Sequence, residues 1–294
     1  MSALDEYRGR FRRVLEHVDA HLDGELRVEE LGRVAAFSKY HFHRQFAALF
    51  GFGVHEYVKG VRLVRAGYRL AFRDDERILD IALASGYESH EAFSRAFKKL
   101  IGQTPSEFRE KPRWEAWHAF QDPLNKLRSD YMNAENTRKR EDVKVVDFPA
   151  TRIAVLEHHG DPKRLNDTIR RFIEWRKQND LTPRTSRTFN LLYGDPATTP
   201  PDTFRLDLCA SSPRAIGTND AGIVERSIPA GRYAVLRHRG SDANLGESFQ
   251  YLYARWLPGS GEELRDFPLF LERLTFFPDV PEHEALVDIF LPLR

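Results

Sequence analysis

Arg44 and Arg95 stand at matching places in two similar stretches of the chain. An arginine on an open helix face can grip guanine O6 and N7 with two parallel hydrogen bonds, and a carboxylate such as Glu91 can accept from cytosine N4. Tyr40, His43, Arg44 and Ala47 fall on one face of a helical repeat, and Glu91, Ser94, Arg95 and Lys98 on the corresponding face of the second. A different chemistry gathers later in the chain, where Tyr193, Tyr233, Trp256 and Phe290 accompany Glu272. Aromatic faces hold cations and flat apolar molecules. On a strand from Leu269 to Phe277, alternation puts Phe270, Glu272, Leu274 and Phe276 on one face. A carboxylate there is costly to bury without a partner, which a bound cation could supply. Two plainer readings stay open: the aromatics fill a core, and Glu272 faces solvent or pairs with Arg273 or another arginine.

The elements that must position these groups follow from periodicity. Up to about residue 112 the pattern is helical throughout. Leu31 and Val34 mark a short helix, Ala35–Ala36–Phe37 a turn, and Ser38 the cap of a second helix whose Phe42, Phe46, Leu49 and Phe50 form its buried face. An offset of 51 carries Ser38, Phe42, Arg44, Phe46, Leu49 and Gly51 onto Ser89, Phe93, Arg95, Phe97, Leu100 and Gly102. The second copy is capped by Ser89 and expected to bury Phe93, Phe97, Leu100 and Ile101. A short helix, a tight turn and a polar second helix is the helix-turn-helix layout, here in tandem. The rival is a helical bundle with a solvated charged face. A connecting helix from about Val54 to Phe72 would span roughly 28 Å at 1.5 Å per residue, near the ~34 Å repeat of a duplex. Along it Lys59, Arg62, Arg65, Arg69 and Arg73 recur every three or four residues and could meet phosphates.

From Val143 onward strand patterns dominate, interrupted by helical patterns at about 162–178 and 243–256. An offset of 80 carries Arg152, Ala154, Val155, Leu156, His158, Gly160 and Leu165 onto Arg232, Ala234, Val235, Leu236, His238, Gly240 and Leu245. Each copy reads as strand, glycine turn, and helix bearing Trp175 or Trp256. The fold expected is multi-domain: an all-α tandem helix-turn-helix domain at 1–112, a linker at 113–142 that begins with a short helical piece around Trp114, Trp117 and Phe120 and holds a polar hinge at Asn133–Asp142, and an α+β domain at 143–294. That last domain is built from a duplicated strand-helix-strand module, read as two similar sheets side by side with a concavity between them.

The spacing Asp80-Ile-Ala-x-x-x-Gly86-Tyr-x-Ser89-x-x-x-Phe93-Ser-Arg95-x-Phe97-Lys-x-x-x-Gly102-x-Thr-Pro105-Ser-x-x-Arg109 resembles the signature of AraC-type transcription regulators over residues 5–112. The resemblance implies base contacts from the early turns of both second helices, here Tyr40, His43 and Arg44, then His90, Glu91 and Arg95. Ala36 stands where the family often has glycine, so a right-handed backbone is expected there. The closing Asp288-Ile-Phe-Leu-Pro292-Leu, together with Asp195-Pro196, Pro229-Ala-Gly231-x-Tyr233 and Tyr253-x-x-Trp256-Leu-Pro258, resembles the GyrI-like effector-binding domain. That implies a pocket for amphipathic or cationic compounds lined by aromatics and an acid. Because some GyrI-like domains are hydrolases, hydrolysis of a small toxic compound is an alternative, as is a module that binds a protein such as polymerase or a topoisomerase.

Composition restricts the rest. Forty-five basic and 44 acidic residues give a net charge of +1, so charge alone does not announce a nucleic-acid partner. The single cysteine, Cys209, excludes an internal disulfide and suits a reducing cytoplasm. No apolar run approaches a membrane span, and the first residues lack the order of a signal peptide. His158-His159 and His41-x-His43 lack carboxylate or cysteine partners at metal-binding spacing, so neither a metal nor another cofactor is expected. Gly259-Ser-Gly261 and Gly51-Phe-Gly53 fall short of the nucleophile-elbow and dinucleotide patterns. The expected partners are double-stranded DNA, a small-molecule effector and RNA polymerase.

Overall fold

A computed structural model describes residues 3–132, 142–194 and 199–294. The chain divides into a unit of Met1–Asn136 with Phe277–His283, and a second of Thr137–Phe276 with Glu284–Arg294. Most of the expected hinge, residues 133–141, and Asp195-Pro196 lie outside the described residues.

The first unit is helical: α1 (Ala3–Ala20), α2 (Val28–Val34), α3 (Lys39–Phe50), α4 (Val54–Phe72), α5 (Ile78–Ala84), α6 (His90–Ile101), α7 (Pro105–Glu110) and α8 (Trp114–Met132). One aromatic-rich core runs through it, from Phe11 on α1 through Phe42 and Phe46 on α3, Tyr57 on α4 and Phe93 and Phe97 on α6 to Phe108 and Trp117. The short helical piece expected ahead of the hinge is helix α8, which runs on to Met132, with Trp114 and Trp117 buried in the helical core.

One expectation about the repeats fails in the same way in both copies. Leu49 is 37% exposed and its counterpart Leu100 46% exposed, so neither joins the buried faces. Phe42, Phe46 and Phe50 on α3, and Phe93, Phe97 and Ile101 on α6, already occupy the full width facing the core. The first turn also differs from expectation, because Ala36 adopts φ 55°, the left-handed region. Its amide donates to Arg33 O while Phe37 N–H reaches back to Gly32 O, which closes the helix with a left-handed residue. The second turn is one residue longer and uses Gly86, φ 80°. A left-handed alanine costs about 1–2 kcal/mol, whereas a glycine loses about 0.5–1 kcal/mol in chain entropy. Ala36→Gly is thus expected to change stability by between nothing and a gain of about 1.5 kcal/mol. Urea unfolding checks this, and a loss of the size usual for Ala→Gly in a helix would contradict it.

The second unit holds one eight-stranded antiparallel sheet in the order β1-β6-β8-β7-β3-β4-β2-β5, not two sheets. Its strands are β1 (Val143–Phe148), β2 (Thr151–His159), β3 (Thr188–Leu192), β4 (Arg205–Ser211), β5 (Val224–Ile228), β6 (Gly231–Arg239), β7 (Leu269–Arg273) and β8 (Leu286–Pro292). Helix α9 (Leu165–Gln178) follows β2. The helical run α10 (Leu245–Tyr251), a π-turn over Leu252–Trp256 and α11 (Leu257–Ser260) follow β6. The repeats meet at the β3–β7 pairing, which is why two separate sheets do not form: each module's inner edge is satisfied by the other. Each module also lends its first strand away, β1 pairing with β6 and β5 with β2. Strand β5 escapes sequence reading because it is an edge strand, Val-Glu-Arg-Ser-Ile, with four of five residues exposed. Strand β7 ends at Arg273, so Leu274 and Phe276 do not extend the face that carries Phe270 and Glu272.

The sheet has two apolar sides. On one, Phe172 and Trp175 of α9 pack on Leu156 and Leu208, and Leu245, Leu252 and Trp256 pack on Leu236, Leu271 and Ile289. On the other, strand side chains pack on each other: Phe148, Phe189, Tyr233, Phe270 and Phe290 form one cluster.

Candidate nucleic-acid interface and effector site

The two helices that could read DNA are built alike. Ser38 Oγ accepts from His41 N–H at 3.5 Å, and Ser89 Oγ accepts from Ala92 N–H at 3.1 Å, so both expected caps form. Each helix stops at a left-handed glycine, Gly51 or Gly102. The apolar face of each is buried by phenylalanines, which turns the remaining face outward. His43, Arg44, His90, Glu91 and Arg95 are all exposed on it. The Tyr40 side chain lies outside the described residues. Glu91 is held below the usual carboxylate range by its own backbone N–H and by the Ser89 hydroxyl, so it presents an anion at the helix start.

The connector is helix α4 with the expected limits, but its basic row is not a free phosphate-binding face. Lys59 is exposed. Arg62 instead donates from Nε to Leu22 O at 2.8 Å and from Nη2 to Gly24 O at 2.5 Å, and its guanidinium lies under the turn at Gly86. Arg65 pairs with Asp23 at 2.8 Å, Arg69 with Glu76 at 2.5 Å and Arg73 with Asp279 at 2.5 Å. The geometry therefore engages Arg62 within the helical unit and gives its expected phosphate contact no support. The carbonyls after α1 need donors, and an arginine reaching from the central helix satisfies two of them.

In the second unit the expected ligand residues separate. Tyr233, Glu272 and Phe290 share the aromatic side of the sheet. Trp256 lies on the opposite side, packed in the helix-facing core, and is not brought to them. Trp175 holds the same place in the other module, so the repeated tryptophan anchors a helix to the sheet. Tyr233 is fully buried, with its hydroxyl donating to Pro229 O at 2.8 Å. Phe270 and Phe290 stack at 4.6 Å with 6° between planes. Tyr193 stands apart, its hydroxyl donating to the buried Asp207 at 3.0 Å and its ring covered by Arg205 at 4.1 Å. Burial first and the Asp207 carboxylate second push the Tyr193 phenol up to about 12, so it stays a donor near neutral pH.

Glu272 has a partner: Arg187 Nε and Nη2 each lie 2.6 Å from its two carboxylate oxygens. Across the ladder from Glu272 stands Asp288, held by Arg237 Nε and Nη2 at 2.7 and 2.8 Å. Arg187 and Arg237 escaped sequence reasoning, which met Asp288 only as part of the closing phrase, because nothing local in Thr185–Thr188 tells where an arginine will reach. His158 and His238 are matched structural residues. Nδ1 of each meets Thr168 or Ser248 at 2.8 or 2.9 Å, and Nε2 meets a backbone oxygen of Asp161 or Ser241 at 3.2 or 3.0 Å. A carbonyl accepts only, so Nε2 carries the proton and Nδ1 accepts from the hydroxyl.

A pair of tandem helix-turn-helix units followed by a duplicated α+β sheet domain defines the class: a DNA-binding regulator carrying a small-molecule module. Residues 141–294 match the GyrI-like small molecule binding domain, and residues 31–111 match a helix-turn-helix domain. The chain belongs to the GyrI-like family and carries an AraC-type helix-turn-helix domain ahead of it. It is similar to the probable transcriptional regulator YgiV of Escherichia coli K12, 37% identical over 153 residues that cover 52% of this chain and 96% of that one. It is also similar to the right origin-binding protein of Escherichia coli K12, 36% identical over 110 residues, 37% of either chain. The crystal structure of the EcmrR C-terminal domain superposes with a TM-score of 0.43 at 17% identity, covering 52% of this chain and 96% of that one. No helix among the described residues is long and apolar enough to cross a membrane.

Proposed function

We propose that α3 and α6 enter successive major grooves of one duplex, with Ser38, Tyr40, His43 and Arg44, then Ser89, His90, Glu91 and Arg95, at the DNA. The observation that carries this is the matched pair of serine-capped helices, each with its arginine on an uncovered face. Lys59 adds a phosphate contact. The second unit takes up an amphipathic or cationic small molecule on the aromatic side of the sheet, at Tyr233, Phe290 and Glu272. Binding rather than chemistry is the reading there: His158 has both nitrogens occupied, and burial pushes the Cys209 thiol well up, away from its reactive anion. The protein then acts in the cytoplasm on transcription, with RNA polymerase as the downstream partner.

Selection of bound genomic fragments by the full chain, followed by anisotropy titrations with and without amphipathic cations, tests this reading. Lys59→Ala should weaken binding on every sequence and lower the salt slope by about one unit. Arg62→Ala should instead lower the melting temperature of the helical unit, because two carbonyls lose their donor. Equal salt slopes for the wild type and Lys59→Ala would remove Lys59 from the interface. Release of a hydrolysed product, followed by mass spectrometry, would favour an enzyme.

A further inference from the structure

The duplication inside the second unit separates what the fold needs from what occurs once. The histidine–hydroxyl pairs and the helix tryptophans occur in both modules. The cluster around Glu272 does not. By the offsets relating β1 to β5 and β3 to β7, the places of Phe148, Arg187 and Glu272 are taken in the other module by Ile228, Pro268 and Leu191.

Where the two modules meet, at the β3–β7 pairing, the cluster is a complete cation box. The Arg187 guanidinium carbon lies 4.9 Å from the centre of the Phe148 ring and 5.0 Å from that of Phe189, distances at which an aromatic face attracts a cation. Its fork closes on both oxygens of Glu272. The Glu272 side chain is 11% exposed, whereas that of Arg187 is 43% exposed. The root of Arg187 is fixed, its N–H donating to Ser211 Oγ at 2.8 Å and its carbonyl accepting from Ser211 N–H at 2.9 Å. The charged end can therefore leave toward solvent without disturbing the ladder. If it did, Glu272 and Asp288 would stand directly opposite each other with Arg237 alone to balance them, a like-charge pair one cation short.

We propose that Arg187 is the resident occupant of the effector site, a guanidinium that a cationic effector displaces from Glu272, Phe148 and Phe189. This rests on the reading that this side of the sheet is the effector site. The site is then self-filled in the absence of effector and selects molecules that offer both a positive charge and an aromatic surface. A neutral aromatic compound can replace the stacking but leaves Glu272 without a cation.

Calorimetric titration of the full chain with tetraphenylphosphonium, and with triphenylphosphine oxide as the neutral counterpart, tests the proposal. Arg187→Gln should bind tetraphenylphosphonium at least tenfold tighter than the wild type and triphenylphosphine oxide no tighter. Glu272→Gln should weaken the cation at least tenfold, and the double variant should lose the gain of Arg187→Gln. Should the single variants fold poorly, the rise in melting temperature on adding the cation, larger for Arg187→Gln than for the wild type, carries the same information. Wild-type binding that Arg187→Gln leaves equal or weaker would overturn the displacement proposal while leaving the effector site standing. An absence of cation binding by all variants would overturn the effector site itself, and the proposal with it.

Discussion

Replacing Arg44 and Arg95 together by alanine is expected to remove sequence-specific DNA binding while leaving weak, salt-sensitive binding behind. Each arginine lies on an exposed helix face, so neither loss touches the core, and both serine caps remain. A bidentate arginine–guanine contact is worth about 1–3 kcal/mol of discrimination. The two residues lie on different helices separated by α4, so their losses should add to roughly 2–6 kcal/mol, about thirtyfold to twenty-thousandfold in affinity. The measurement is anisotropy on the selected site and on a scrambled duplex, for both single variants and the double. The scrambled duplex should change far less than the selected site. If the double variant binds the selected site as the wild type does, α3 and α6 are not the reading helices. A single variant that carries the whole loss would show that one unit alone reads the sequence.

Gly67→Ala is expected to destabilise the helical unit clearly, against the usual preference for alanine inside a helix. Gly67 is buried in the middle of α4, where alanine would ordinarily gain about 0.8–1 kcal/mol. A methyl group there would lie 2.1, 2.3 and 2.9 Å from Trp117 Cη2, Cζ3 and Cζ2. The indole cannot retreat, since it is fully buried and packs against Tyr68 at 5.7 Å and Phe108 at 5.4 Å. Overpacking of this kind costs about 1–3 kcal/mol or more and outweighs the propensity gain. Each kilocalorie corresponds to roughly 2–4 °C in the melting temperature of a domain of this size. Gly60 on the same helix gives the control: a methyl there meets only the tip of Leu124, at 3.0 Å, which can turn aside. Calorimetry should therefore show a large drop for Gly67→Ala and a small change for Gly60→Ala. A Gly67→Ala protein with an unchanged transition would mean that Trp117 is not packed on α4.

The errors of sequence reading share a cause with these predictions. Periodicity reports which residues are apolar along one element, but not how wide a face its neighbours can cover. Leu49 and Leu100 carry the right spacing yet stay exposed, because three other apolar side chains on each helix already fill the contact. Ala36 was expected to be right-handed from its residue type, but its φ is set by the need to end α2 and start α3 within four residues. Arg62 has the spacing of a solvent-facing row, and only the position of the carbonyls after α1 shows where it goes.

What the sequence determined by itself is what short-range chemistry encodes: helix caps at Ser38 and Ser89, the amphipathic faces between them and Gly51 or Gly102, the limits of α4, and two internal duplications. These fix the tandem helix-turn-helix units and the α+β module, because caps and periodicity act within a few residues. The tertiary structure alone decided that the modules share one sheet, that each lends its first strand to the other, and that Trp256 faces away from Tyr233. It alone also brought Arg187 to Glu272 from 85 residues away. Strand pairing and ion pairs join positions remote in sequence, and their energies depend on where two side chains end in space, which no local pattern records.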